Sequence, residues 1–115
     1  MRMHKIYVFI YLGLILLGST IPGNSIPPLL VLTWDKLLHV CEYSIAGFLG
    51  YKGYYSEFKR PVLIISISGI LFGCLDESLQ SMIPGRFPSQ YDVIADGIGV
   101  ILGALTGSFI WKNPE

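Results

Sequence analysis

Four apolar runs separated by turn-forming residues leave this chain few ways to fold. The first runs from Ile6 to Ile21 and is stopped by Pro22-Gly23-Asn24; the second extends from Trp34 to Tyr55. The third follows Pro61 and continues to Ile83, and the fourth spans Tyr91 to Trp111. A helix that crosses a bilayer needs about 20 residues; the third and fourth runs meet that length, and the first two are marginal alone. Strands of a membrane barrel would alternate with period two, and these runs do not. The chain is therefore expected to be all-α: an integral membrane four-helix bundle, a single domain over 1–115 with spans at 6–21, 34–55, 62–83 and 91–111. Composition agrees. Of 115 residues, 52% are hydrophobic and 14% charged, against about 25% charged in soluble domains. That hydrophobicity excludes a disordered chain. Eight basic and eight acidic side chains cancel, which leaves no basic excess for a nucleic-acid partner; the expected partner is the lipid bilayer.

Arg2 and Lys5 followed by an apolar stretch also resemble the start of a signal peptide. Gly18-Ser19-Thr20 fits a small-x-small cleavage site poorly, so the first run is read as a retained helix, with cleavage as the alternative. Cys41 and Cys74 lie inside apolar runs without CxxC spacing and are read as small packing residues. With four spans, Arg2, Lys5, Lys52, Lys59, Arg60 and Lys112 share one side, and Lys36 and Arg86 the other, a basic count of six to two. The positive-inside rule puts the richer side, with both termini, in the cytoplasm. The expected location is the bacterial cytoplasmic membrane.

The acidic residues collect on the opposite side. Asp35, His39 and Glu42 fall in the first turns of the second span; Asp76, Glu77 and Gln80 end the third; Asp92 and Asp96 begin the fourth. Asp35, His39 and Tyr43 follow at i, i+4, i+8 and share one helical stripe. A charged group at the bilayer centre costs about 3 kcal/mol on insertion scales, so such groups face a bundle interior or a wet cavity. The pattern points to one outward-facing acidic, His-containing pocket with Arg86 on the loop above it. Plainer readings stand beside it. Ser89-x-x-Asp92 matches a helix-start capping box, Asp35 suits the positive end of a helix dipole, and Lys36 is placed to snorkel. Glu77 and Asp96 fit such readings least well. Helix four also carries Ala95, Gly99, Gly103 and Gly107 at intervals of four, and helix three carries Gly69 and Gly73; ridges of small residues let helices approach closely in lipid.

Taken together, Asp35-Lys36-x-x-His39-x-x-x-Tyr43, Glu77-x-x-Gln80 and Pro84-Gly85-Arg86-x-x-Ser89-x-x-Asp92-x-x-x-Asp96-x-x-Gly99-x-x-x-Gly103 resemble the VanZ-like family over about residues 35–107. The family commonly has Asn where this chain has Asp96. The resemblance implies a small polytopic bacterial membrane protein of the cell envelope, whose namesake is associated with low-level teicoplanin resistance, without implying a reaction. Carried over by position, its characteristic residues are Asp35, His39, Tyr43, Glu77, Gln80, Arg86, Asp92 and Asp96.

The functional expectation is that these eight residues bind a cation or the polar headgroup of a lipid-linked cell-wall precursor, Arg86 pairing with phosphate. The alternative is an enzyme acting on a lipid-linked envelope substrate. There, His39, Glu77 and Asp96 are the candidate catalytic residues for acid–base work, or, with Asp92, ligands for a divalent cation such as Mg²⁺, Mn²⁺ or Zn²⁺. An ion pathway is disfavoured because the polar residues stop short of the inner half of the spans. A purely structural or assembly role is the remaining alternative.

Overall fold

The computed structural model describes residues 2–20, 35–84 and 90–111. It contains four helices, α1 (Arg2–Ser19), α2 (Asp35–Tyr54), α3 (Pro61–Gln80) and α4 (Gln90–Ile110), and no strand among the described residues. The boundaries differ from the apolar runs for local reasons. α1 starts at Arg2 rather than Ile6, because the polar residues before Ile6 are as compatible with helix as the apolar ones that follow. α3 opens with proline at its first turn, where the missing N–H costs no hydrogen bond and φ is already helical. It ends at Gln80 rather than Ile83. Short-range bonds from Met82 N to Leu79 O (3.1 Å) and Ile83 N to Gln80 O (3.0 Å) tighten the chain there, just before Pro84, whose ring disfavours helical geometry in the residue it follows. The 22–33 stretch, Trp34, Arg86, Ser89 and Lys112 lie outside the described residues.

The closest packing is between α2 and α4, and glycine makes it possible. A Cβ added to Gly103 would run into the Ser44 carbonyl oxygen, and one on Gly99 into that of Val40. From the other side, a Cβ on Gly47 would strike the Val100 carbonyl oxygen. The ridge of small residues on α4 thus lies directly on the α2 backbone. α3 packs on α4 by the same device, with Gly69 seated against the Val100 side chain. α1 covers α2: Tyr11 donates its hydroxyl hydrogen to the Glu42 carbonyl oxygen at 2.8 Å. Ile15 joins Tyr43, Ala46 and Val100 in the small apolar core.

Contacts at the two ends fix the antiparallel arrangement. At one end Lys5 pairs with Glu57, and the Lys52 ammonium lies 5.3 Å from the Trp111 ring centroid. The start of α1, the 55–60 turn and the end of α4 therefore meet. At the other end lie Ser19, His39, Asp76, Gln80, Asp92 and Asp96, every one of them buried.

The interior is polar at one end, and the exterior is apolar. Phe9, Leu17, Leu71, Leu75, Ile94 and Phe109 are among many large hydrophobic side chains on the exterior. In water an exposed apolar surface of this kind is the informative anomaly, as is a buried carboxylate. α3 and α4 are long and apolar enough to cross a membrane, and Met3–Ser19 is a shorter apolar helix. The reading of Cys41 and Cys74 as internal packing residues needs correcting: both lie on exposed helix faces, because each falls on the flank of its helix turned away from the neighbours.

Candidate functional site: a hydrogen-bonded polar end

Helical phase selects which polar residues point inward. On α3 the buried positions include Ser66, Gly73, Asp76 and Gln80, spaced at seven, three and four, the seam expected of a helix facing its neighbours. Asp76 sits on that seam with 2% of its surface exposed. Glu77, one residue on and rotated by about 100°, is only half-buried. On α4 the inward residues are Asp92, Ala95, Asp96 and Gly99; on α2 they are His39 and Tyr43. On α1, Val8, Ile15 and Ser19 are buried at spacings of seven and four, so that Ser19 ends the face that packs on the bundle.

These residues form two linked groups. In the first, His39 Nδ1 and Asp96 Oδ1 are 2.6 Å apart, with His39 9% and Asp96 1% exposed. The carboxylate has room because Gly73 faces it: a Cβ there would stand 3.0 Å from Asp96 Oδ2. In the second, Asp76 Oδ1 accepts a hydrogen bond from the Ser19 hydroxyl, and its Oδ2 accepts one from the Tyr43 hydroxyl at 3.0 Å. Gln80 Nε2 donates to Ser19 Oγ at 3.2 Å. Both oxygens of Asp76 therefore have donors, supplied by α1 and α2. Tyr43 is one turn from His39 on α2, and this ties the groups into one polar layer reaching all four helices.

The expected site residues divide accordingly. His39, Tyr43, Gln80, Asp92 and Asp96 are buried at the same end. Glu77 stands at the margin of the cluster. Asp35 opens α2, and Arg86 lies outside the described residues. The structure brings into the network two residues that are not among the eight expected to form the site, Asp76 and Ser19. Asp76 was recognisable from its heptad relation to Gly69 and its i, i+4 relation to Gln80. Ser19 had only the weaker signal of its spacing from Val8 and Ile15, and its place at the end of an apolar run read as part of a possible cleavage site.

Chemically the arrangement favours hydrogen bonding over metal binding. Among the described residues no group of three or more His, Cys, Asp or Glu side chains is placed to hold a metal ion. Asp76 is already engaged by hydroxyls, so it braces the site. In the His39–Asp96 pair, a carboxylate on Nδ1 fixes the imidazole's orientation and tautomer, and so defines the role of Nε2 as a proton acceptor or donor.

The fold and this polar end define a small helical bundle with, among the described residues, two helices long and apolar enough to cross a membrane and a His–carboxylate pair that joins α2 to α4. A family model, VanZ/LLP1, matches residues 3–111, and the chain belongs to that family. The match takes in α1 as well as the three helices that carry the sequence resemblance. No curated protein and no solved structure matches the chain.

Proposed function

We propose that this protein is a multi-pass component of the bacterial cytoplasmic membrane that binds the polar headgroup of a lipid-linked cell-wall precursor at its polar end. All four helices span in this reading, α1 included, with both termini in the cytoplasm and His39, Asp76, Asp92 and Asp96 toward the outside. The observation that carries it is the inversion of the bundle: carboxylates and a histidine gathered at one end of an interior whose exterior is apolar. Groups so costly to place among acyl chains are retained where they face one another or a polar ligand. The participation of Ser19 in the network supports retention of α1, since a cleaved leader would remove a donor from Asp76. The arrangement also suits a role in teicoplanin tolerance, in which occupation of a precursor headgroup alters access to it.

Two measurements test this. Single cysteines at 57 and 84 should be labelled by impermeant maleimide from the inside and the outside respectively; the reverse pattern would sink the orientation. In a host whose teicoplanin tolerance depends on this protein, His39→Gln and Glu77→Gln should remove the tolerance at unchanged protein abundance. Full tolerance in both would exclude the polar end from the function.

The His39–Asp96 pair favours a second reading, acid–base catalysis on a lipid-linked envelope substrate. Turnover of radiolabelled lipid-linked precursor by the purified protein, lost in His39→Gln, would establish it. Saturable binding without turnover would leave the binding role alone.

A further inference from the structure

A second feature lies at the opposite end of the bundle. A groove of about 630 Å³ opens along α3 and α4, bordered by Tyr51 of α2 and by Arg60, Leu63, Ser66, Ile101 and Ser108. Its walls are almost wholly apolar, and its volume falls in the range of about 300–1,000 Å³ typical of small-molecule sites. Along α4 it runs from Ile101 to Ser108, about 10 Å at 1.5 Å per residue. The Ser108 hydroxyl on this lining is already bonded to the Leu105 carbonyl oxygen at 2.6 Å; Arg60 and Ser66 are the polar groups that bear on a ligand. Arg60 stands exposed at the mouth, directly before the N-terminus of α3, where unpaired backbone N–H groups and the helix dipole favour an anion. Deeper in, Ser66 is only 7% exposed, and its hydroxyl has no hydrogen-bond partner. A buried hydroxyl without a partner is uncommon and calls for an acceptor.

We propose that this groove seats one anionic phospholipid. Its phosphate lies against Arg60 and the first turn of α3, a glycerol ester carbonyl accepts the Ser66 hydroxyl hydrogen, and an acyl chain fills the apolar trough toward Ile101. The spacing suits this order of groups. Ser66 lies six residues beyond Arg60, about 9 Å along the helix, and the Arg60 side chain reaches back toward the headgroup layer. The site is separate from the His39–Asp96 end. It rests on the membrane reading above, under which Arg60 faces the cytoplasmic leaflet, whose anionic lipids attract basic residues.

The test uses the full chain reconstituted into vesicles of phosphatidylglycerol and phosphatidylcholine in equal amounts, then extracted into mild detergent for native mass spectrometry. One retained phosphatidylglycerol, preferred about tenfold over phosphatidylcholine, is expected. Arg60→Gln should remove most of that preference while leaving the helix content unchanged. Ser66→Leu and, from the exposed side of α4, Ile101→Trp should each fill the groove and lower retention of both lipids several-fold. Millimolar inorganic phosphate should not displace the lipid. Equal retention of both lipids by the unaltered chain, a preference untouched by Arg60→Gln, or a dimer mass with no bound lipid would overturn the proposal. Failure of the chain to stay with the vesicles after carbonate washing would instead overturn the membrane reading itself. The two failures are therefore distinguishable.

Discussion

His39 and Asp96, 57 residues apart in the chain, meet at 2.6 Å across the α2–α4 contact. The meeting depends on glycine at three places. Gly99 and Gly103 let α4 lie on α2, and Gly73 leaves space for the Asp96 carboxylate. The pair is thus a product of backbone approach as much as of the two side chains.

Asp96→Asn should keep the bundle intact, because an amide oxygen can accept the same hydrogen from His39. Asp96→Leu removes the acceptor and leaves His39 buried without it, at a cost of about 1–3 kcal/mol. Thermal unfolding of the purified protein in detergent, followed by circular dichroism, would separate the two. Equal loss in both variants would show that charge, rather than hydrogen bonding, holds the pair together.

Adjacent carboxylates on α3 should behave differently. Asp76→Ala leaves the Tyr43 hydroxyl without its acceptor and the Ser19 hydroxyl with only the Ile15 carbonyl oxygen, and should destabilise by about 1–3 kcal/mol; Tyr43→Phe, which removes one donor, should cost about 1 kcal/mol. Glu77→Gln, at a half-buried position, should change stability by less than about 1 kcal/mol. The same unfolding measurement checks all three, and a larger effect at Glu77 than at Asp76 would reverse the assignment of the inward face.

Glycines should differ according to what faces them. Gly103→Ala drives a methyl group into the Ser44 carbonyl and should cost about 1–3 kcal/mol, the range for overpacking. Gly13 has nothing within 4 Å of an added Cβ, so Gly13→Ala should be neutral or stabilising by up to about 1 kcal/mol through helix propensity. Denaturation midpoints of the two variants provide the comparison.

Cys41 and Cys74 are exposed on the bundle surface, yet in a bilayer that surface would meet acyl chains, from which a charged, water-soluble maleimide is excluded. Both should resist maleimide in intact vesicles and react within minutes once the lipid is replaced by denaturant. Rapid reaction of either in intact vesicles would place it in contact with water.

Much of the bundle was legible in the sequence because apolar runs and their Pro/Gly stops report helices directly. The ends were less so: the polar residues before Ile6 continue α1, and the turn beyond Gln80 looks as apolar as the helix before it. The carboxylates stood out because charge inside an apolar run is costly wherever it points. Their partners did not. Asp76 and Glu77 differ only by helical phase, and serine at position 19 is common enough in apolar helices to carry little information. That the Ala95–Gly107 ridge meets α2, while Gly69 and Gly73 meet α4, is a relation among three helices that no single helix encodes.

The bond between His39 and Asp96 also has a temporal side. Its two halves come from α2 and α4, so during synthesis this contact cannot form until the α4 sequence has been made. Closure of the polar end is thereby tied to the arrival of a segment translated well after the one that carries the histidine.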